Sequence, residues 1–142
     1  MTYFGMSNIF VFDTNVLISA TLIKHSVNSR AIDRAIALGR IAMSAKTLDE
    51  FSLVIFRKKF DRYFEDVNER LELLKRIGEH VLFVNPTESI QACQDPKDDM
   101  FLELAVASKA SAIISGDPHL LVLHPFRNIP VVNVTDFLCM SF

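Results

Sequence analysis

The 142-residue chain has no long apolar run: nothing in it approaches the roughly 18–20 residues that cross a bilayer as a helix, which argues against a helical membrane protein. Met1 to Asn8 lack the basic segment and apolar core of a secretory signal. Cysteine is scarce. Cys93 and Cys139 stand alone, outside any Cys-x-x-Cys or Cys/His ligand spacing, which fits a reduced, cytoplasmic protein better than a disulfide framework. His25, His80, His119 and His124 show no His-x-His or His-x-x-x-His spacing, which argues against zinc. Charge of one sign is also missing. A net charge of −2 creates no global field that would mark a nucleic-acid binder. There is no internal repeat, low-complexity tract or composition shift, so one domain over residues 1–142 is expected.

What the chain does have is core material. Half of its residues are hydrophobic and 23% are charged, a globular composition. The organising stretch is Ile9-Phe10-Val11-Phe12, a run typical of a strand buried on both faces at the centre of a parallel sheet. It ends abruptly in Asp13-Thr14-Asn15. A carboxylate at the carboxyl end of a central strand points into the crevice where open α/β sheets bind ligands. It also serves as an N-cap, and alone it would need no further account.

The rest of the chain alternates. Val16 to Ile23 leads into a helix, broken at Lys24-His25-Ser26. A helix over Asn28–Leu38 follows, with Ile32, Ala35 and Ile36 on its apolar face and Gly39 as its stop. Ile41-Ala42-Met43 is a second strand, and the next helix carries Leu48, Phe51, Val54 and Ile55 towards the sheet. Phe56 to Phe64 interleaves aromatics with Arg57, Lys58, Lys59 and Arg62, read first as an amphipathic linker. Val67 to Gly78 is a helix with Val67, Leu71, Leu74 and Ile77 on one face. Val81 to Val84 is a third strand, and Thr87 to Cys93 suits a short helix. The acidic loop Gln94 to Asp99 opens a helix over Met100–Lys109. Ala112 to Ser115 is a fourth strand, Pro118 opens a short helix, Ile129 to Asn133 is a fifth strand, and a final helix starts near Thr135. The alternation predicts an α/β fold: a parallel or mostly parallel five-stranded sheet covered by helices on both faces.

On that topology Asp13 and Asp117 follow strands, while Glu50 and Asp99 open helices on the same edge, so all four can converge. Bland roles compete. Thr47-x-x-Glu50 matches a capping box, and Asp98 is explained as an N-cap. Four converging carboxylates, however, repel one another and raise each other's pKa. A hard divalent cation offsets that repulsion, and Mg²⁺ or Mn²⁺ suits an all-oxygen donor set. Such a site is suited to phosphoryl chemistry. Thr14, Asn15 and Ser115 have the right groups to orient waters or carboxylates around the ion. Arg57, Lys58, Lys59 and Arg62 are candidates for holding substrate phosphates.

Phe12-Asp13-Thr14-Asn15-Val16-Leu17, Ser44-x-x-Thr47-Leu48-x-Glu50-Phe51, Asp95-Pro96-x-Asp98-Asp99-x-Phe101-Leu102-x-Leu104-Ala105 and Ile113-Ile114-Ser115-Gly116-Asp117 together resemble the PIN domain, in the family's order. The Asp-Pro-x-Asp-Asp run and the Ser-Gly-Asp end resemble the prokaryotic, VapC-like branch of toxins from toxin–antitoxin pairs. The resemblance implies a three-layer α/β/α sandwich with strand order 3-2-1-4-5. It also implies an Mg²⁺- or Mn²⁺-dependent ribonuclease leaving 5′-phosphate ends. Its acidic residues carry over onto Asp13, Glu50, Asp99 and Asp117; Asp98 is the alternative to Asp99, which the family's spacing to Asp117 favours. The strand-end hydroxyl and amide positions fall on Thr14, Asn15 and Ser115. RNA as substrate, a cognate antitoxin and a homodimer are the implied partners. The alternative is a PIN-like domain that binds RNA or protein without turnover. A dehalogenase-type phosphatase would need a second acid where Asn15 stands, and a response-regulator receiver would need an acidic pair and a late lysine.

Overall fold

The computed structural model describes residues 8–142; Met1 to Ser7, most of the stretch read for a secretory signal, lie outside the described residues. The organising run forms β1 (Asn8–Phe12) and is followed almost at once by α1 (Thr14–Leu22). The chain continues through α2 (Val27–Leu38), β2 (Gly39–Met43), α3 (Ala45–Ile55), α4 (Val67–His80), β3 (Leu82–Phe83), α5 (Asp99–Ser108), β4 (Ala112–Ile114), α6 (Pro118–Leu121), β5 (Val131–Val132) and α7 (Val134–Cys139). All strands are parallel, in the order β3-β2-β1-β4-β5. Phe10 pairs with Ile41 on one side and Ala112 on the other, so β1 is the central strand.

The two-residue period of β1 divides the core. Phe10 and Phe12 point to one face, where they meet Leu17, Ala35, Phe51, Ile55 and Phe137. Val11 points to the other, against Phe101, Leu104, Ile113 and Leu120. Both layers are continuous, which is why the central strands read as unbroken apolar runs. Phe137 closes the first layer edge-on against Phe10 and Phe12, at centroid distances of 5.1 and 6.1 Å. Among the described residues, no helix is long and apolar enough to cross a membrane.

Local chemistry departs from the simple pattern in several places. Gly39 does end α2, but in extended backbone (φ 175°) and as the first residue of β2. A Cβ there would lie 1.9 Å from the carbonyl oxygen of Asn8, so glycine is needed for the approach of β2 to β1. Ile36 of α2 faces solvent, and Ala31 and Ala35 supply the close contact instead. Gly78 does not stop α4, which runs on to His80. The inward face of that helix is Arg70, Leu73, Leu74 and Ile77, while Val67 and Leu71 are half exposed. Thr87 to Cys93 form no helix. The amides of Ile90, Ala92 and Cys93 are spent on the carboxylates of Glu103 and Asp99 of α5, which hold the segment against that helix without regular structure of its own.

Candidate active site

The order 3-2-1-4-5 places a topological switch between β1 and β4, since the chain leaves β1 to one side and later returns to the other. Crevices beyond the carboxyl ends of strands at such a point are where α/β sheets bind ligands. Here the crevice is an open cleft of about 410 Å³, lined by Asp13, Glu50, Asp98 and Asp117 together with Thr14 and Arg57.

Asp13 is placed by the abrupt change from strand to helix. The Asp13 amide donates to the Ile114 carbonyl at 3.0 Å, extending the β1–β4 ladder by one residue. Its Oδ1 accepts from the Val16 amide at 2.9 Å, which makes it the N-cap of α1. Oδ2 accepts from the Ser115 hydroxyl and, at 3.1 Å, from the Gly116 amide. The capping role is therefore real, yet it does not account for the burial of Asp13 beside other acids. Burial pushes the Asp13 carboxyl above the usual carboxylate range and the Asp117 charge adds to this, against the hydrogen bonds from Ser115, Val16 and Gly116.

Glu50 is not a capping residue. The box at the start of α3 is made by Ser44 and Thr47: the Thr47 amide donates to Ser44 Oγ at 3.2 Å, and the Ser44 amide donates to Thr47 Oγ1 at 2.9 Å. Glu50, nearly a turn further on, projects into the cleft, where its Oε2 accepts from the Thr14 hydroxyl.

The adjacent acids Asp98 and Asp99 divide their work. Asp99 does not line the acidic cleft. Its Oδ1 accepts from the amides of Ala92 at 3.1 Å and Cys93 at 2.8 Å. Burial acts to raise it, but the amides of Cys93 and Ala92 outweigh burial and hold it below the ordinary value. Asp98 occupies the N-cap position of α5 without making a capping hydrogen bond, because the preceding turn, Pro96–Asp98, is capped by Asp95. Its carboxylate is thereby free to enter the cleft. Burial, a hydrogen bond shared with Asp117 and the charges of Asp117, Asp95 and Glu50 push Asp98 up to about 7. Asp117 follows β4; its amide donates to Ser115 Oγ at 2.9 Å and its Oδ1 accepts from the His119 amide at 2.9 Å. Of the two acids expected as alternatives, Asp98 is therefore the one that lines the cleft with Asp13, Glu50 and Asp117, while Asp99 faces the amides of Ala92 and Cys93.

The remaining expected positions separate in the same way. Asn15 is exposed at the rim of the cleft, and Ser115 is fully buried beneath it. Arg57 lines the cleft, whereas Lys58, Lys59 and Arg62 lie on the next turn, away from it. Lys59 sits over the Phe60 ring, and Arg62 stacks on Tyr63 and donates to its hydroxyl at 2.8 Å. Two residues that the sequence reading did not assign to the site stand there: Asn28 of α2 on the cleft wall, and His119 beside Asp98 and Asp117. The signal for His119 was its place two residues after Asp117.

The donor set fits a hard divalent cation. It offers carboxylate oxygens with hydroxyl and amide groups around them, and among the described residues no lysine or arginine forms an ion pair with Asp13, Glu50, Asp98 or Asp117. Burial raises Asp98 most, and negative charge gathered without a lysine or arginine counter-ion adds to it.

Residues 10–119, which span β1 to the start of α6 and include all these acids, match the family model of the PIN domain. The chain belongs to the PIN domain family. This PIN domain is 28% identical over 114 residues to the uncharacterized protein MJ1680 of Methanocaldococcus jannaschii, which covers 80% of this chain and 73% of that protein. Its fold is similar to that in VapBC2 of Rickettsia felis bound to a DNA fragment from its promoter (TM-score 0.57, 15% identity, 88% of this chain and 98% of that chain). It is similar also to VapBC-1 of nontypeable Haemophilus influenzae (0.59, 14%, 89% and 98%) and PAE2754 of Pyrobaculum aerophilum (0.59, 14%, 97% and 93%). At these identities the likeness concerns the fold. The PIN fold explains why the acids, distant along the chain, share one edge of the sheet.

Proposed function

We propose that this PIN domain is a divalent-metal-dependent endoribonuclease that hydrolyses RNA phosphodiester bonds and serves as the toxin of a toxin–antitoxin pair. The observation that carries the chemistry is the meeting of Asp13, Glu50, Asp98 and Asp117 around one cleft, with no lysine or arginine among the described residues paired to them. Mg²⁺ or Mn²⁺ bound there supplies charge neutralisation at the phosphate and a water of lowered pKa. Asp13, at the end of β1, and Asp98, at the start of α5, would hold the ion, with Glu50 and Asp117 completing the acidic ring. Ser115 and the Gly116 amide fix the orientation of Asp13, and Thr14 fixes that of Glu50.

Arg57 is placed to meet a substrate phosphate at the cleft edge. An adjoining groove of about 670 Å³ shares Glu50 and Arg57 with the cleft and adds Lys46 and Lys97, but Asp49, Asp99 and Glu103 line it as well, so Arg57 is the cation that carries the phosphate contact in this reading. The toxin assignment follows the VapBC likeness in fold, and a small antitoxin is the partner it implies. The test is cleavage of RNA by purified protein with Mg²⁺ or Mn²⁺, comparing Asp98→Asn with Asp99→Asn. Loss of cleavage in the first, with turnover retained in the folded fraction of the second, is expected. Cleavage that survives EDTA or Asp98→Asn overturns the proposal.

A further inference from the structure

We propose that His119 is a nitrogen ligand of the ion held by the carboxylate cleft, and that it makes this site prefer Mn²⁺ over Mg²⁺. The inference rests on the metal-dependent reading above and adds a donor that the acids alone do not supply. His119 Nδ1 lies 3.7 Å from Asp117 Oδ1 and 3.9 Å from Asp98 Oδ2. These separations are too long for hydrogen bonds. They are, however, the separations expected between donors that flank one cation at about 2.0–2.3 Å each. One donor atom from each of the three residues falls within 4.8 Å of the other two.

Among the described residues the His119 ring makes no hydrogen bond, unlike His80, which engages the Arg76 carbonyl, and His124, which accepts from the Val131 amide. Its backbone amide is anchored on Asp117, so the ring is carried beside that carboxylate and not on a remote loop. The consequence is chemical. Mg²⁺ is served by oxygen ligands and water, whereas imidazole suits transition metals. A mixed carboxylate–imidazole set therefore separates two ions that a purely acidic set treats more alike.

The test uses Mn²⁺ itself as the probe. Purified full-length protein is titrated with Mn²⁺ and followed by electron paramagnetic resonance and spin-echo envelope modulation, with Mg²⁺ as competitor. Bound Mn²⁺ showing nitrogen modulation is expected in the wild type. In His119→Ala the modulation is lost and the preference for Mn²⁺ falls roughly tenfold, with Mg²⁺ affinity little changed. Bound Mn²⁺ without nitrogen modulation, or modulation that persists in His119→Ala, overturns this inference and leaves the metal-dependent reading standing. Absence of any bound Mn²⁺ in the wild type overturns both.

Discussion

The Ser115 hydroxyl donates to Oδ2 of Asp13 across the β1–β4 seam, joining residues that are 102 positions apart in the chain. With the bonds from the Gly116 amide to Asp13 and from the Asp13 amide to Ile114, this contact links the two strand ends that form the floor of the cleft. Asp13→Asn is expected to abolish RNA cleavage, because the amide replaces a carboxylate oxygen by a donor that faces two donors. Ser115→Ala keeps the carboxylate but frees its orientation, and a loss of roughly 10–100-fold is expected, as for other groups that orient a metal ligand. Far-UV circular dichroism should be unchanged in both. Full activity in either variant would contradict the role given to this seam.

Asp98 predicts how stability changes with pH. An acid whose pKa is raised on folding binds its proton more tightly in the native state. Its contribution therefore favours folding most at low pH and is lost as pH rises from the ordinary 3.8 to about 7. Asp13, shifted in the same direction, acts with it. The thermal midpoint of metal-free protein should fall between about pH 5 and pH 8. Asp98→Asn should flatten that slope, and added Mn²⁺ should restore the midpoint at the alkaline end. A midpoint that rises over the same interval in metal-free protein would show that the cleft is not a site of unrelieved repulsion.

The contrast between these acids shows what could be read from the chain alone. The buried run ending in Asp13, the second strand-end acid at Asp117 and the alternation that brings them to one edge are written in residue type and order. So is the position of Glu50, although Thr47-x-x-Glu50 imitates a capping box that Ser44 and Thr47 make instead. The choice between Asp98 and Asp99 is not written there. One residue turns a helix by about 100°, and the phase is decided by the backbone amides of Ala92 and Cys93, which claim Asp99. The same amides explain the missing helix over Thr87–Cys93, since a segment cannot give them both to a neighbouring carboxylate and to itself. His119 escaped notice because histidines were weighed by their spacing from one another and not from the acids.

Arg57 and its basic neighbours should behave differently in RNA binding. Arg57 stands on the cleft wall, while Lys59 and Arg62 are engaged with Phe60 and Tyr63. Arg57→Gln is expected to lower the slope of log affinity against log salt by about 0.7, the value for one phosphate contact on a single strand. Neutralising Lys58, Lys59 and Arg62 together should change the slope by less per residue. Filter binding at several salt concentrations, with metal omitted, separates the two. Equal slopes for Arg57→Gln and the wild type would remove Arg57 from the substrate path.

Arg70 is the support on which that turn depends. It is buried in α4; its Nε donates to the Ile55 carbonyl at the end of α3 at 2.9 Å, and one terminal nitrogen donates to Asp61 at 2.6 Å. The guanidinium packs against the rings of Phe56 and Phe64, at 5.6 and 4.7 Å from their centroids. Removing the side chain leaves the Ile55 carbonyl without this donor and opens a gap between two aromatics. Arg70→Ala should therefore cost roughly 2–4 kcal/mol in urea denaturation. Asp61→Asn should cost less than about 1 kcal/mol, because Asp61 is largely solvated and the Ile55 bond survives. The Ile55 carbonyl lies two residues before Arg57, so a folded Arg70→Lys variant, which keeps charge but loses the fork, should also weaken RNA binding. Wild-type affinity in that variant would show that the basic turn holds its place without the clamp.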